Sequence, residues 1–243
     1  RPEMKFSAAP VHEIFCSRQG EGLYCGRKQV FLRFAGCNLD CSYCDEPAAR
    51  SLPSFMMTPA EAAAEVILQA RRGRARIVSF TGGEPLLHWA FIKALAPALK
   101  SSGLSPHLET NGTLYRELGR VVRLLDAVAM DIKLPSSGGH RPLWSAHRRF
   151  LSVAPRKTFI KAVLTSSASI ADFKRAVGLA AAAGRDIPFF IQPASAGDTM
   201  RHGVPVPFRP PSARLVREAE ACARARLSKV KVLPQQHPLW GIR

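Results

Sequence analysis

Short apolar runs recur along the chain, and a polar group of residues follows each of them. β-Branched and aromatic residues are frequent in these runs, which is typical of buried strands. The pattern predicts strands at 29–34, 76–80, 107–112, 127–134, 158–165, 188–195 and 229–234. Polar side chains are therefore expected where each strand ends.

Helical patterns lie between these strands, at 57–72, 88–103, 168–184 and 212–226. The first begins with Thr58, Pro59 and Glu61, which are an N-cap, a proline at the first helical position and an acid in the first turn. Pro97 predicts a kink in the second helix.

The alternation of strands and helices predicts an α/β fold, because parallel strands need long crossovers. About six strand–helix units favour a partial (β/α) barrel, and a doubly wound open sheet is the alternative. No low-complexity linker interrupts the chain, so we expect a single domain over 1–243. Functional residues are expected at the carboxyl ends of the strands.

Length and composition agree with one globular unit, since 243 residues with 47% hydrophobic content can form a large core. No stretch approaches the roughly 18 consecutive apolar residues of a membrane span. The first ten residues lack the apolar core of a secretory signal. We therefore expect a cytoplasmic protein with no membrane partner.

The formal net charge is +17, from 35 basic and 18 acidic residues. Such an excess suggests polyanionic partners such as nucleic acid or anionic cofactors. The segment from Lys133 to Lys161 carries seven Lys or Arg residues and no acid. Few aromatic rings, Trp144 and Phe150 among them, are interleaved there for base stacking, so a solvated basic surface explains the segment at least as well as RNA binding.

The chain has six cysteines, at positions 16, 25, 37, 41, 44 and 222. They are too sparse for a disulfide scaffold, whereas the cluster at 37–44 indicates metal binding. A structural zinc site usually has four protein ligands, to which Cys16, Cys25 or His12 could contribute. A 4Fe–4S cluster explains three cysteines directly, because each thiolate holds one iron and the fourth iron stays open for a small molecule.

The spacing Cys37-x3-Cys41-x2-Cys44, with Tyr43 before the last cysteine, resembles the signature of radical S-adenosylmethionine enzymes. "TGGEP" at 81–85 looks like the motif that holds the amino group of methionine in that superfamily. "ETNGT", "MDIK" and "IQP" place further polar residues at strand ends. In isolation, Asn-Gly in "ETNGT" is also typical of an ordinary turn, and Asp with Lys in "MDIK" of a surface ion pair. The glutamine of "IQP" is also compatible with a buried polar residue that has a partner.

"SRQGEG" at 17–22 precedes the cysteines, and Glu21 with Arg33 would suit a substrate that carries both hydrogen-bond donors and a carboxylate. Together with "FLRFAGCNLDCSYCD" and the ending "VKVLPQQHPLWGIR", these motifs cover nearly the whole chain. In this combination and order they resemble the family of 7-carboxy-7-deazaguanine synthases.

The resemblance implies an abridged (β/α)6-type partial barrel and a homodimer. It implies ring contraction of 6-carboxy-5,6,7,8-tetrahydropterin to 7-carboxy-7-deazaguanine with loss of ammonia, on the route to queuosine and related 7-deazapurines. A 4Fe–4S cluster, S-adenosylmethionine and Mg²⁺ would be the cofactors. An external electron donor of the flavodoxin or ferredoxin type would supply electrons.

The resemblance also assigns residues. The cluster ligands would be Cys37, Cys41 and Cys44. S-adenosylmethionine would contact Tyr43, Cys44, Asp45, Gly83, Glu84, Gly112, Asp131, Ile132, Lys133 and Gln192. The pterin would contact Arg18, Gln19, Gly20, Glu21, Arg33, Thr110 and the terminal carboxylate of Arg243, with Glu21 and Arg33 as the catalytic pair.

The chain departs from the family pattern at several positions. Glu46 stands where a threonine commonly binds Mg²⁺; a carboxylate is a hard oxygen ligand and could bind the metal more tightly, replace it or repel the substrate carboxylate. Asp131-Ile132-Lys133 stands where Ser-Pro-Lys is frequent, and Arg243 replaces a terminal proline. Cys16 and Cys25 have no assigned role.

Two alternatives are open from the residues. One is a different radical S-adenosylmethionine enzyme that acts on RNA or activates a glycyl-radical enzyme, for which the positive charge is an argument. The other is a non-catalytic metal-binding module that associates with nucleic acid. The short chain and the QGEG element favour a small-molecule substrate, so we do not expect a nucleic-acid partner.

Overall fold

A computed structural model describes residues 8–50, 55–201 and 204–242. The strands are β1 Ala9–Arg18, β2 Lys28–Phe34, β3 Phe55–Met57, β4 Ile77–Gly82, β5 Ser105–Thr110, β6 Ala127–Asp131, β7 Thr158–Leu164, β8 Phe189–Pro193, β9 Gly197–Arg201, β10 Val204–Phe208 and β11 Val230–Val232. The helices are α1 Pro59–Gly73, α2 Trp89–Ser101, α3 Tyr115–Val121, α4 Pro135–Gly138, α5 Trp144–Val153, α6 Ile170–Ala183, α7 Ala213–Arg224 and α8 His237–Trp240. Short 3₁₀ turns occupy Gly22–Tyr24, Pro47–Arg50, Pro85–His88, Val122–Leu124 and Pro155–Lys157.

Nine strands form one sheet in the order β11-β8-β7-β6-β5-β4-β2-β1-β3, and β9 with β10 forms a separate hairpin. Neighbours from β2 to β11 pair in parallel, whereas β1 pairs antiparallel with both β2 and β3. Within the described residues β3 and β11 are the two edges of the sheet, so the barrel is not closed. The expected α/β partial barrel is confirmed.

The strands predicted from the apolar runs are all present, as β2, β4 to β8 and β11. Several end earlier than the sequence suggested: the strand predicted at 107–112 is Ser105–Thr110, and the one at 127–134 ends at Asp131. The polar residues that follow therefore lie in loops at the carboxyl edge. β1, β3, the β9–β10 hairpin and the short helices lack long apolar runs, so the sequence pattern did not predict them.

Helix α1 begins as predicted. The Glu61 N–H donates to Thr58 Oγ1 at 3.3 Å, and Glu61 Oε2 accepts from the Thr58 N–H at 2.7 Å, which is a reciprocal capping box. Helix α2 runs from Trp89 to Ser101 with Pro97 inside it.

The core lies between the sheet and its covering helices. Phe34, Phe80, Leu108 and Phe189 are fully buried there, and full burial of such a side chain contributes roughly 1.5–3 kcal/mol. Phe34 is the last residue of β2, so the loop that carries the cysteines begins directly at the core. Among the described residues, no helix is long and apolar enough to cross a bilayer.

Candidate active site

A cavity of about 460 Å³ lies at the carboxyl edge of the sheet. Its volume falls in the ordinary range for small-molecule sites, about 300–1,000 Å³. The residues singled out by the sequence that line it are Arg18, Gln19, Gly20, Glu21, Arg33, Cys37, Cys41, Tyr43, Cys44, Asp45, Glu46, Gly83, Thr110, Asp131, Lys133 and Gln192. Motifs from distant parts of the chain thus meet in one cavity.

The three clustered cysteines line this cavity from the loop after β2, and all three are free thiols. Burial raises their pKa values, that of Cys44 to about 11, so without a metal they stay protonated at neutral pH. Within 8–50, 55–201 and 204–242 no group of three Cys, His, Asp or Glu side chains is arranged to hold one metal ion. Cluster thiolates bind different irons and need not converge on one point, so the triplet fits a 4Fe–4S cluster.

One side of the cysteine loop is tied to the loop after β5. Asn38 donates from Nδ2 to Thr113 Oγ1 at 2.9 Å and accepts at Oδ1 from Asn111 Nδ2 at 2.8 Å. On α5, His147 Nε2 lies 3.1 Å from the Asn111 carbonyl oxygen. Burial lowers the pKa of His147 to about 4, so the neutral ring holds this loop.

The other side of the cysteine loop is tied to the β9–β10 hairpin. Asp40 accepts hydrogen bonds from Arg50 and, at 3.1 Å, from Arg201 Nε on β9. Ser42 Oγ donates to the Ser137 carbonyl oxygen at 3.0 Å. Residues between the cysteines therefore have partners on both sides of the loop.

The glycines of "TGGEP" let two backbone segments approach closely. A Cβ on Gly83 would lie 2.1 Å from the Gly36 carbonyl oxygen, and one on Gly82 would lie 2.1 Å from the Phe34 carbonyl oxygen. Gly82 also has a φ of +129°, which a side chain rarely adopts. The end of β4 therefore packs directly against the start of the cysteine loop.

Glu84 does not line the cavity, in contrast to the assignment that the resemblance suggested. Its side chain is fully buried and accepts hydrogen bonds from the Leu86 N–H at 3.0 Å, Thr110 Oγ1 at 2.9 Å and the Asn111 N–H at 2.8 Å. Burial raises its pKa to about 7 although these bonds oppose the shift. In this structure Glu84 links the end of β4 to the loop after β5.

Glu21 is the centre of a polar network that lines the same cavity. It forms a salt bridge with Lys161 on β7 and accepts from Gln192 Nε2 at 3.0 Å and Gln235 Nε2 at 2.7 Å. Burial alone would raise the pKa of Glu21, but the Lys161 charge and the hydrogen bonds from Lys161 and Gln235 outweigh burial and lower it. The carboxylate is therefore ionised at neutral pH.

Gln19 is oriented by its neighbours. Its Oε1 accepts from the Glu21 N–H at 3.1 Å, and its Nε2 donates to Glu109 Oε1 at 2.7 Å. Ser79 Oγ donates to the same Glu109 oxygen at 2.9 Å. Because Glu109 accepts only, it fixes which end of the Gln19 amide faces each partner.

Arg33 is paired with residues that the sequence analysis did not connect to it. Its Nε lies 2.7 Å from Glu13 Oε1, and its Nη1 lies 3.4 Å from Glu46 Oε2. Glu21 is bonded to Lys161 instead, so the expected pair of Glu21 and Arg33 shares the cavity without a mutual contact. Two acidic partners hold the guanidinium at the cavity wall.

Lys133 and Asp131 stand at the end of β6. Lys133 Nζ donates to Asp131 Oδ2 at 2.7 Å and lies 5.1 Å from the Tyr43 ring centroid. Burial would lower the pKa of Lys133, but the Asp131 charge outweighs burial and raises it. Asp131 Oδ1 is buried without a hydrogen-bond partner in the described part of the chain, which leaves an acceptor for a bound polar group.

Two more predicted contacts do not line the cavity. Ile132 is fully buried in the core, and Gly112 has a φ of +68° with Met130 against it. Gly112 therefore shapes the turn after β5, and Ile132 contributes packing. Arg243 lies outside the described residues.

Several cavity residues were missed by the sequence analysis, namely Glu109, Lys161, Gln235 and His237. Lys161 carried a signal, since a lysine inside the apolar strand "TFIKAVL" needs a buried partner. Gln235 belongs to the "PQQH" motif and also donates to Asp45 Oδ2 at 2.7 Å. The carboxyl-terminal segment thus reaches the cavity.

Comparison with known proteins gives a consistent result. The radical SAM superfamily matches residues 32–186. A 7-carboxy-7-deazaguanine synthase from Geobacter sulfurreducens is 36% identical over 258 residues, which cover 98% of this chain and 99% of that protein. One from Methanopyrus kandleri is 33% identical over 77% of this chain and 82% of its own length.

The crystal structure of QueE from Escherichia coli resembles this fold with a TM-score of 0.59 and 22% sequence identity, over 93% of both chains. This likeness concerns the fold, whereas the Geobacter sulfurreducens relative matches nearly the whole chain in sequence. The chain therefore belongs to the radical SAM superfamily and, within it, to the family of 7-carboxy-7-deazaguanine synthases.

Proposed function

We propose that this protein forms 7-carboxy-7-deazaguanine, the product in the names of its relatives. The substrate that we propose is 6-carboxy-5,6,7,8-tetrahydropterin, which would lose ammonia in the reaction. The observation that carries the proposal is the shared cavity: the cysteine triplet lines one part of it, and Gln19, Glu21 and Arg33 line another. A radical generated at the cysteines would therefore meet a substrate held by the QGEG element without either leaving the cavity.

As a radical SAM enzyme the protein uses a 4Fe–4S cluster and S-adenosylmethionine, acts on a small molecule and needs a reductant. When bound, these cofactors supply a 5′-deoxyadenosyl radical that can remove a hydrogen atom from the pterin C6. We propose Cys37, Cys41 and Cys44 as the cluster ligands. Tyr43, Asp45, Gly83, Asp131, Lys133 and Gln192 would surround S-adenosylmethionine.

Arg33 would bind the substrate carboxylate, because its planar guanidinium can donate two parallel hydrogen bonds. Glu13 and Glu46 now occupy two sides of that guanidinium, so the substrate would either displace Glu46 or use the remaining donor. Glu21 would accept hydrogen bonds from substrate N–H groups, since it stays ionised beside Lys161. Arg18, Gly20 and Thr110 complete the proposed pterin contacts, with the Arg243 carboxylate expected from the resemblance.

Glu46 lines the cavity and is the candidate Mg²⁺ ligand of this chain. Its oxygens suit a hard cation, and Asp45 offers a second carboxylate next to it. We further propose that 1–243 acts as a single radical SAM domain, as a cytoplasmic homodimer, and that its product enters 7-deazapurine synthesis such as that of queuosine.

The test is an anaerobic reaction of reconstituted protein with S-adenosylmethionine, a reductant and the 6-carboxy-tetrahydropterin, followed by mass spectrometry. We expect 7-carboxy-7-deazaguanine in the wild type. The Cys41→Ala variant should lose iron, sulfide and product together, whereas Cys222→Ala on α7 should keep all three. Formation of 5′-deoxyadenosine with no deazapurine would reject the pterin while keeping the radical chemistry.

A further inference from the structure

Three exposed arginines form a basic surface on α3 and α5, and we name Arg116, Arg120 and Arg149 the arginine patch. Arg116 and Arg149 both stand over the ring of Tyr115, at 5.7 and 5.4 Å from its centroid. Arg149 Nη1 also donates to Tyr115 Oη at 2.9 Å. Tyr115 thus brings arginines of two different helices together.

The charge of the patch is not neutralised within the described residues. None of the salt bridges found there involves Arg116, Arg120 or Arg149. Glu117 is the one acid in α3, and α5 contains none. Three guanidinium groups therefore face solvent with little local compensation, which attracts an anionic partner.

A short series of contacts connects the arginine patch to the cysteine loop. Tyr115 follows Thr113 by two residues, and Thr113 accepts the hydrogen bond from Asn38, which lies between Cys37 and Cys41. Arg149 follows His147 by two residues, and His147 contacts the Asn111 carbonyl that belongs to the same turn. Both helices that carry the patch are thus attached to the turn that holds the cysteine loop.

We infer that the arginine patch is the docking surface for an acidic electron-carrier protein that reduces the cluster. This rests on the proposed function, which requires an external reductant. One electron leaves the reduced carrier and enters the cluster, and no atom is transferred. The rate of electron transfer falls steeply with distance, so the carrier has to bind beside the cysteine loop.

A small charged surface suits this partner. Electron-transfer encounters are weak and bury less than about 1,200 Å², and complementary charge mainly raises their association rate. A nucleic acid is the less favoured occupant, because the half-buried Tyr115 ring lies under two guanidinium groups and the Trp89 ring lies under that of Arg120, so neither ring is free to stack on bases.

The test compares two double variants that change the charge equally, Arg116→Glu/Arg149→Glu and Arg214→Glu/Arg217→Glu. The second pair is exposed on α7, which packs beside α6 and against β11, an edge strand of the sheet. Iron content and reduction by dithionite first establish that each protein is folded and carries its cluster. Reduction by a purified bacterial flavodoxin is then followed by stopped-flow absorbance at several salt concentrations.

We expect the patch variant to lose about tenfold or more of the second-order rate constant at low salt. The difference should shrink as salt rises, because the Debye length falls from about 10 Å at 0.1 M to about 3 Å at 1 M. The α7 variant should follow the wild type. Equal losses in both variants, or no loss in the patch variant, would overturn the docking site.

Two further outcomes distinguish failure of the docking site from failure of the proposed function. Failure of the wild type to assemble a cluster would reject the proposed function itself. If the patch variant loses affinity for purified tRNA in a mobility-shift assay while flavodoxin reduces it at the wild-type rate, the patch binds nucleic acid and the inference is wrong.

Discussion

Lys161 on β7 forms a buried salt bridge with Glu21, which lies 140 residues earlier in the chain. Their side chains are only 9% and 13% exposed, so neither charge is solvated by bulk water. Removing one partner of such a pair leaves the other as an uncompensated buried charge. The contact between Glu21 and Lys161 therefore couples the stability of the protein to the protonation of Glu21, a proposed substrate-binding residue.

We expect Lys161→Met to lower the free energy of unfolding by about 3–5 kcal/mol at pH 7. The lowered pKa of Glu21 stabilises the fold above the unfolded-state value, and that contribution is lost as pH falls through the folded-state value. The deficit of the variant should accordingly shrink below about pH 4. Denaturant unfolding at pH 7 and pH 3.5 measures this, with exposed Lys174→Met as the control. Equal stability of both variants would contradict a buried pair.

His147 should make the stability of the wild type depend on pH in a higher range than Glu21 does. Its folded-state pKa of about 4 lies below the ordinary value of 6.5, because burial disfavours the charged ring. Stability should therefore fall as pH drops from about 6.5 to 4, by about 3 kcal/mol. His147→Gln keeps an N–H donor for the Asn111 carbonyl but does not titrate there, so its curve should be flatter. Parallel curves for both proteins would show that His147 is not the group responsible.

Glu84→Gln should weaken the connection between the end of β4 and the loop after β5. In the wild type three donors share the Glu84 carboxylate, and in the variant the amide N–H₂ group faces some of them instead of an acceptor. A buried donor left without an acceptor costs about 1–3 kcal/mol. Asn111 loses its fixed position, so the Kd for S-adenosylmethionine should rise as well. Equilibrium dialysis and denaturant unfolding measure the two effects. The Glu117→Gln change on α3 is the control, and a Glu84 variant indistinguishable from it would refute this role.

Glu46→Thr should change the dependence of turnover on Mg²⁺. A carboxylate holds this hard cation more tightly than a hydroxyl, so the variant should need roughly tenfold more Mg²⁺ for half-maximal activity. Loss of the 3.4 Å contact also frees Arg33 Nη1, which should lower the KM for the pterin carboxylate. Activity measured across Mg²⁺ concentrations reports the first effect, and activity measured across pterin concentrations at saturating Mg²⁺ reports the second. Superimposable Mg²⁺ curves would mean that Glu46 serves Arg33 alone.

The local features of the chain were predictable because they depend on neighbouring residues. The apolar runs predicted every parallel strand of the sheet, and Thr58 as the N-cap with Pro59 after it predicted where α1 begins. The cysteine spacing and the QGEG element, read as a resemblance, gave the family to which the chain belongs. Placement of the polar residues just beyond strand ends also indicated a site at the carboxyl edge of the sheet.

Partner choice among the charged residues was decided only by the tertiary structure. Arg33 contacts Glu13 because β1 lies antiparallel beside β2 with these two residues in register, and β1 was not assigned from the sequence. Glu21 meets Lys161 and Gln192 because β7 and β8 bring their polar residues to the same edge. Glu84 turns into the protein because Thr110 and the Asn111 N–H face it there. The chain's local pattern determines which residues reach the site, but the register of strands distant in sequence sets which charges neutralise each other.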